Sequence, residues 1–394
     1  MDMIYYQLRS YLVHREEQQR VQFKLGELPE VWLCTLKQCK RRLQGYQQDG
    51  KLIYLPGRGR GKLSELIFSQ PFQQEIEGEL ALAIQQNALD EVVQLLQLDI
   101  PKEWFKGVFQ EIQGLFGLQN SQADKQTLRY ILRRPLTSLD PLVTAVSKES
   151  FMIRQLGDTL LNYDTDKGRL QPGLAHHWRV SPDYRRWTFF LRKGVRFHHG
   201  RTLTSEDVRH TLLRAKMKGS VSAWQLENVK QIICENDFVI SVELNKGEPF
   251  LGHYLTLGNL TILPHDVPFD ETKWVSTGPF QIRERTPHSI ILEVFEEYYG
   301  ERPLMDRIEF WVVEDSKLPM TISPDAAYSS REDYVEQSRK NDGVEFLIFN
   351  FKQPSIVHKA PFREALYLLT DGEELKKELD IGKPASRFYP DKSQ

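Results

Sequence analysis

The sequence predicts a multidomain α+β protein with a basic helical head, a helical connector and a strand-containing body. Three observations predict it. Positive charge is concentrated in the first 63 residues, apolar residues recur with a helical period up to about residue 116, and apolar and polar residues alternate between residues 187 and 197. With 394 residues and 40% hydrophobic content, the chain is long enough for two or three domains with proper cores.

Composition excludes several classes of protein. No run of about 18 apolar residues occurs, so we expect no membrane insertion. The N-terminus has Asp2 where a secretory leader would be basic, and Arg9 interrupts any apolar segment that follows. The three cysteines, Cys34, Cys39 and Cys234, are an odd and sparse set that fits a reducing compartment. We therefore expect a cytoplasmic protein.

The net charge of -2 conceals an asymmetry. Residues 1–63 contain twelve Lys or Arg against six Asp or Glu, whereas the remaining residues contain 40 basic and 48 acidic side chains. A basic head on an acidic body indicates either a surface that meets a polyanion or a solvated helical surface. Charge alone leaves both interpretations open.

The order of elements in the head favours the first interpretation, a surface that binds a polyanion. An amphipathic helix opens the chain, a short apolar segment follows from Leu25 to Leu33, and Thr35 is placed to cap a third helix that runs to about Asp49. At about 100° per residue, one face of this third helix is apolar, and the opposite face is polar. The apolar positions are Leu36, Cys39, Leu43 and Tyr46, and the polar positions are Lys37, Gln38, Arg41, Gln44 and Gln48, flanked by Lys40 and Arg42.

The polar face has the side chains that read DNA in a major groove. Gln and Arg are residue types that hydrogen-bond to base edges, while Lys37 and Lys40 are better suited to phosphate. The predicted DNA contacts of this helix are Thr35, Lys37, Gln38, Lys40, Arg41 and Arg42.

A β-hairpin with a basic, glycine-rich tip is predicted next. Strands at 52–55 and 63–68 flank the tip, whose Arg58, Arg60 and Lys62 supply charge for phosphate or a minor groove. A nucleotide phosphate-binding loop is excluded, because its spacing would require Gly at Pro56 and Ser or Thr at Leu63. We interpret residues 1–68 as a winged-helix DNA-binding domain whose partner is double-stranded DNA.

Residues 69–120 are predicted to form a helical connector. Three helices with Leu-rich stripes run from Pro71 to about Phe116, and a polar linker at 119–125 precedes a strand at 127–133. Two roles stay open for the stripes: an intramolecular core, which we favour, and the interface of a homodimer.

In the body, Trp187, Phe189 and Leu191 alternate with polar positions as a half-buried strand does. We expect this strand to form a hairpin with the segment at 195–197, followed by a helix capped at Thr204. These patterns indicate scaffold, not a binding site.

The residues of the body resemble family 5 of the extracellular solute-binding proteins, and the whole chain resembles SgrR-type transcriptional regulators. The resemblance lies in residues 59–62, 128–135, 175–178 and 190–201 and in Ser276–Phe280. It implies a winged helix-turn-helix, a helical connector and a truncated two-lobed periplasmic-binding-protein-like α/β domain over residues 121–394. It also implies a DNA-binding regulator whose solute-binding-like domain senses a small metabolite of the sugar phosphate or peptide class.

The resemblance assigns no ligand contacts. The Arg and Asn of one family motif are Val294 and Phe295 here, and we expect a second lobe that is incomplete at Gln394. Since the pocket of the family lies between two lobes, we expect one wall of it in this chain.

Catalytic and metal-binding patterns are not found in the sequence. No Gly-x-Ser-x-Gly, His-Glu-x-x-His or Cys-x-x-Cys motif occurs, so we expect neither an enzyme nor a cofactor. The pairs at His176 and His198 are expected to place adjacent histidines on opposite faces, which disfavours metal chelation. The rival functional class is a transport solute-binding protein with a helical appendage, which DNA would not retain.

Overall fold

The computed structural model describes residues 1–58, 62–120, 125–144, 146–217, 219–313, 348–352 and 354–369. It divides into two units, Met1–Ser330 and Arg331–Gln394, each described by itself. In the described ranges, no helix is long and apolar enough to cross a membrane.

The head contains three helices and a three-stranded antiparallel sheet. The elements are α1 Met3–Leu12, β1 Arg20–Phe23, α2 Leu28–Val31, α3 Leu36–Gln48, β2 Leu52–Leu55 and β3 Ser64–Phe68, with strand order β1-β3-β2. Strand β1 was not predicted. It pairs with β3 so that Val21 lies opposite Leu66, and both side chains are buried. The predicted winged-helix arrangement is confirmed.

Helix α3 forms where its cap and apolar stripe predict it. Thr35 and Gln38 form a reciprocal capping box at its N-terminus. Cys39, Leu43 and Tyr46 are buried, as predicted for the stripe. Leu36 is 43% exposed, so its assignment to the buried stripe was wrong; it lies in the first turn, beyond the edge of the core.

The connector contains α4 Phe72–Gln85, α5 Leu89–Leu96, a 3-10 segment Lys102–Val108 and α6 Phe109–Gly114. The apolar side chains of α5 are buried in the core of this chain, which is the role favoured from the sequence. The start predicted for the polar linker at residues 119–125 was wrong. Gly117–Asn120 is strand β4, paired with β5 Gln126–Leu132.

One hydrophobic core runs through the first unit from the head into the body. It includes Tyr5 of α1, Ile76 of α4 and Ile112 of α6, and it continues to Trp311 in the body. The side chain of Gln97 donates a hydrogen bond of 3.1 Å to the carbonyl oxygen of Val312. The boundaries proposed at residues 68 and 120 stay a prediction, and this core crosses both.

The body contains two larger sheets and a two-stranded ribbon. Its elements are α7 Ser147–Leu156, β6 Leu161–Asp164, β7 Arg169–Pro172, β8 Ala175–Val180, β9 Arg186–Leu191, α8 Ser205–Ala215, β10 Val229–Asn236, β11 Val239–Leu244, α9 Leu251–Tyr254, β12 Phe280–Arg285, β13 Ser289–Val294 and β14 Arg307–Val312. The sheets have orders β10-β11-β9-β8 and β12-β13-β14-β5-β4, and β14 is parallel to β5.

Strand β9 buries Trp187, Phe189 and Leu191 as predicted. Its predicted hairpin with residues 195–197 was wrong, since β9 pairs with β8 and β11. Helix α8 begins after Thr204, whose backbone N–H donates to Asp207 at 2.8 Å. In the second unit, α10 spans Ala360–Leu369.

Candidate nucleic-acid interface

Helix α3 presents a basic face. Lys37, Lys40 and Arg41 are exposed. Within the described part of the chain, none of these three side chains forms an ion pair, whereas Asp2 pairs with Lys51 at 3.7 Å, Glu16 with Arg9 and Glu27 with Arg15. An unpaired cationic face is an electrostatic match for phosphate.

The first turn of α3 is held by its own capping residues. The backbone N–H of Thr35 donates to Oε1 of Gln38 at 2.8 Å, and the backbone N–H of Gln38 donates to the Thr35 hydroxyl at 3.4 Å. Gln38 therefore uses its carbonyl oxygen in the cap and has its amide NH2 group available for a partner. In the structure, Thr35 is the N-cap residue of α3.

Arg42 differs from Arg41 in its surroundings. Its guanidinium carbon lies 5.5 Å from the ring centroid of Trp32, and its Nη1 donates to Sγ of Cys34 at 3.8 Å. The side chain is half-buried and packs the turn between α2 and α3. This position gives Arg42 a structural role in the turn.

The two sides of the hairpin approach each other closely at Gly57, where the tip begins. A Cβ atom on Gly57 would lie 2.6 Å from the carbonyl oxygens of Lys62 and Leu63, so only glycine fits this position. The backbone N–H of Gly57 donates to the Ser64 hydroxyl at 3.2 Å. Arg58 and Lys62 are exposed beyond this closure, and Arg60 lies outside the described residues.

A side-chain contact joins the wing to α3. Oε1 of Gln47 accepts a hydrogen bond of 2.9 Å from the backbone N–H of Tyr54 in β2. The last turn of α3 and the first wing strand are therefore positioned together. No sequence pattern identified this contact.

Arg9 is a buried cation that no sequence pattern identified as a structural residue. It forms ion pairs with Glu16 at 2.7 Å and with Glu75 at 3.0 Å, and its guanidinium lies 3.8 Å from the ring centroid of Phe68. Burial raises the pKa of Glu75, and the charge of Arg9 opposes this shift. Because Glu75 belongs to α4 and Phe68 to β3, Arg9 connects the head with the connector. A signal was present: Arg9 lies one turn after Tyr5 on the apolar face of α1.

The Ser276–Phe280 segment of the body is packed against the end of α7. Ser276 and Thr277 are fully buried, and a Cβ atom on Gly278 would collide with the backbone of Leu156. Asp158 accepts hydrogen bonds from the hydroxyl of Thr277 at 3.0 Å and from Tyr298 at 3.2 Å. Burial raises the pKa of Asp158 to about 6. These contacts form a packed junction.

The histidines of the body have different environments. His198 lies with Nε2 at 3.1 Å from the carbonyl oxygen of Gly278, and burial lowers its pKa to about 4. His176 and His177 are both exposed, and the pairing of β8 with β9 has an irregular register between Ala175 and His177. The expectation that these two neighbours occupy opposite faces stays a prediction. Across the described ranges, no three His, Cys, Asp or Glu side chains are grouped to hold a metal ion.

A surface groove of about 900 Å³ follows α8. Its lining includes Arg209, Arg214, His265 and Phe269. Both arginines are paired, Arg209 with Glu206 at 2.6 Å and Arg214 with Asp140. No ligand-contact residue was predicted in this groove.

Two family models match the chain. Residues 169–394 match the family described as bacterial extracellular solute-binding proteins, family 5, middle. Residues 5–113 match the model described as the N-terminus of the sugar transport-related sRNA regulator. The first match covers the body, and the second covers the head and most of the connector.

Similar proteins are found among regulators and binding proteins. The HTH-type transcriptional regulator SgrR of Pectobacterium atrosepticum is 30% identical over 341 residues, which are 84% of this chain and 58% of that protein. The uncharacterized protein YhjP of Bacillus subtilis is 28% identical over 367 residues, 90% of this chain and 62% of that protein. This chain thus spans about three-fifths of the length of these relatives. The structure of AgaA from A. tumefaciens R10 in complex with agropinic acid aligns with this chain at 27% sequence identity and a TM-score of 0.43. The alignment covers 47% of this chain and 39% of the AgaA chain.

Proposed function

Because this chain belongs to family 5 of the bacterial extracellular solute-binding proteins and has an SgrR-type N-terminal region, we propose that it is a DNA-binding transcriptional regulator. Its partner in this function is double-stranded DNA, bound by α3 and the wing. The solute-binding-like body senses a small-molecule effector of the sugar phosphate or peptide class. The protein acts in the cytoplasm and catalyses no reaction.

The observation that supports DNA binding most directly is the basic face of α3. Lys37, Lys40 and Arg41 are exposed and unpaired within the described residues, whereas Arg15 and Lys51 of the head each pair with an acid. Cationic side chains on a protein surface usually gain from nearby acids, so a face without them favours an anionic partner. Names of relatives support the same assignment, since several are HTH-type transcriptional regulators.

Each site residue has a proposed role, and for the residues that the structure describes this role follows from their surroundings. Arg41, which is exposed, reads a base edge, and Lys37 and Lys40 bind phosphate. Gln38 donates from its amide group while its carbonyl oxygen caps the helix with Thr35. Arg42 supports the turn. The remaining contacts, Arg58, Arg60 and Lys62, bind phosphate or a minor groove from the wing.

A homodimer through the connector is not part of this proposal. The apolar side chains of α5 that would form its interface are buried in the core of the same chain. A dimer would need another surface.

The test measures the binding of random duplex DNA to the full chain by fluorescence anisotropy at several salt concentrations. We expect the double variant Lys37→Ala, Arg41→Ala to bind more weakly. The salt slope, which is the slope of log affinity against log salt concentration, should fall in magnitude by about one for each phosphate that the variant no longer binds. Lys167→Ala with Arg185→Ala is the matched control. It removes two positive charges from exposed turns of the body and should bind as the parent does.

The rival function, a transport solute-binding protein with a helical appendage, makes the opposite prediction. Such a protein should not bind duplex DNA even at about 50 mM salt, a concentration at which phosphate contacts are strong. Equal loss of affinity in the head variant and the body control would contradict the assignment of α3.

A further inference from the structure

Two cysteines lie against each other at the N-terminus of α3. With Thr35 as the N-cap, Cys34 occupies the position before the cap, and Cys39 occupies the fourth position of the helix. Residues at these two positions commonly pack on each other as a hydrophobic staple. Here both are cysteine, and their Sγ atoms are 3.5 Å apart.

The two thiols have different environments. Cys34 is partly exposed, lies beside the N-terminus of a 13-residue helix and accepts a contact from Nη1 of Arg42 at 3.8 Å. The Arg42 guanidinium and the N-terminus of α3 therefore place positive charge beside the Cys34 sulfur. Cys39 is buried, and burial raises the pKa of its thiol to about 11. Cys34 is therefore the thiol that an oxidant reaches, and Cys39 is buried behind it.

We propose that Cys34 and Cys39 form a reversible disulfide when the protein meets a hydroperoxide. In the first step the Cys34 thiolate attacks one oxygen of the hydroperoxide, the O–O bond breaks, and the alkoxide leaves and takes a proton from water. Cys34 becomes a sulfenic acid. In the second step the sulfur of Cys39 attacks the sulfur of Cys34, the S–O bond breaks, and the hydroxide leaves with the Cys39 proton as water. Two thiols are oxidised, and one hydroperoxide is reduced to an alcohol and water.

The rearrangement that this reaction requires is small. The two sulfurs must approach from 3.5 Å to a bond length of about 2.05 Å. Both residues flank the capping box. When the disulfide forms, Arg42 no longer faces a free Cys34 sulfur. Leu33, which precedes Cys34, has a φ of 47°, so the adjoining turn has an unusual backbone conformation for a non-glycine residue. The disulfide would thus form in the turn that leads into the proposed recognition helix. This thiol chemistry goes beyond the proposed function, because it does not depend on DNA.

The test treats the reduced full chain with hydrogen peroxide, counts free thiols over time and maps the products by peptide mass spectrometry. We expect two of the three thiols to be lost together, with the peptide that holds residues 34 and 39 lighter by two hydrogens. Dithiothreitol should restore both thiols.

Three variants separate the roles of the cysteines. Cys39→Ala should stop the reaction at the sulfenic acid of Cys34, which a 1,3-dione reagent traps. Cys34→Ala should slow the oxidation of Cys39 by about tenfold or more, since the exposed partner is gone. Cys234→Ser, with its substitution in β10 of the body, should form the disulfide at the rate of the parent.

Some results would overturn the inference. These are a disulfide that includes Cys234, a disulfide between two chains, or oxidation of all three thiols at similar rates without a bond between Cys34 and Cys39. Thiol counts and peptide masses do not change with DNA affinity, so failure of the proposed function and failure of this inference are distinguishable.

Discussion

Asp158 and His198 should make opposing contributions to the pH dependence of folding. Burial raises the pKa of Asp158 from its ordinary 3.8 to about 6. The stabilisation from this group is therefore fully present below about pH 4 and is lost as the pH rises through about 6. Burial lowers the pKa of His198 from 6.5 to about 4, so its contribution is present above pH 6.5 and is lost as the pH falls through about 4.

The two effects have similar sizes. Each pKa difference is a little over two units, and at 1.36 kcal/mol per unit each corresponds to about 3 kcal/mol. Between pH 4 and 7 the two contributions should nearly cancel in the parent protein. Asp158→Asn removes one of them and keeps a side chain that can still hydrogen-bond with the hydroxyls of Thr277 and Tyr298.

The assay is denaturant unfolding followed by tryptophan fluorescence at pH values from 4 to 7. The free energy of unfolding of Asp158→Asn, relative to the parent, should rise by about 2 to 3 kcal/mol from pH 4 to pH 7. Asp166→Asn is the control, because Asp166 is exposed, and its difference from the parent should stay constant. A difference for Asp158→Asn that is flat with pH, or that falls as pH rises, would refute the reasoning.

Three further predictions concern the head. Arg41→Ala should weaken the binding of a cognate operator by about 1 to 3 kcal/mol and relax specificity at one base pair, as measured across operator variants; unchanged affinity with an intact circular dichroism spectrum would exclude a base contact. Replacing Arg58 and Lys62 by Ala should weaken cognate and random DNA alike and lower the salt slope by about one for each residue, and a double variant with the slope of the parent would contradict the wing assignment. Arg9→Met should lower the free energy of unfolding by about 3 kcal/mol, because it leaves the acids Glu16 and Glu75 without their buried cation. Arg15→Met, which removes a partly exposed arginine paired with Glu27, is its control, and equal losses in the two variants would contradict this role of Arg9.

Local rules were sufficient to predict much of the head. The cap at Thr35 and the stripe of Cys39, Leu43 and Tyr46 depend on residues within a few turns of one another, and the structure has both. Gly57 was predicted only as part of a glycine-rich tip, and the structure adds that the carbonyl oxygens of Lys62 and Leu63 leave no room for a Cβ atom there. Exposure of Lys37, Lys40 and Arg41 follows from the same helical period.

Features that depend on distant residues could not be predicted from local sequence patterns. Strand β1 exists because its residues pair with β3, more than 40 positions later, and β4 extends a sheet whose other members include β14. The pattern within β1 is only four residues long, which is too short to distinguish a strand from a loop.

The sequence by itself determined the residue types of the basic helix, the turn chemistry of the wing and the alternation of β9, because these depend on local backbone geometry and side-chain periodicity. Only the tertiary structure decided that Arg9 is buried between two acids, that Gln38 uses its carbonyl oxygen in a cap, and that Cys34 lies 3.5 Å from Cys39 at sulfur. It also raised the pKa of Asp158 through burial, a shift that the hydrogen bonds from Thr277 and Tyr298, more than 100 residues away, oppose. Burial, ion pairing and desolvation arise from atoms that the fold brings together, and no period along the chain records them.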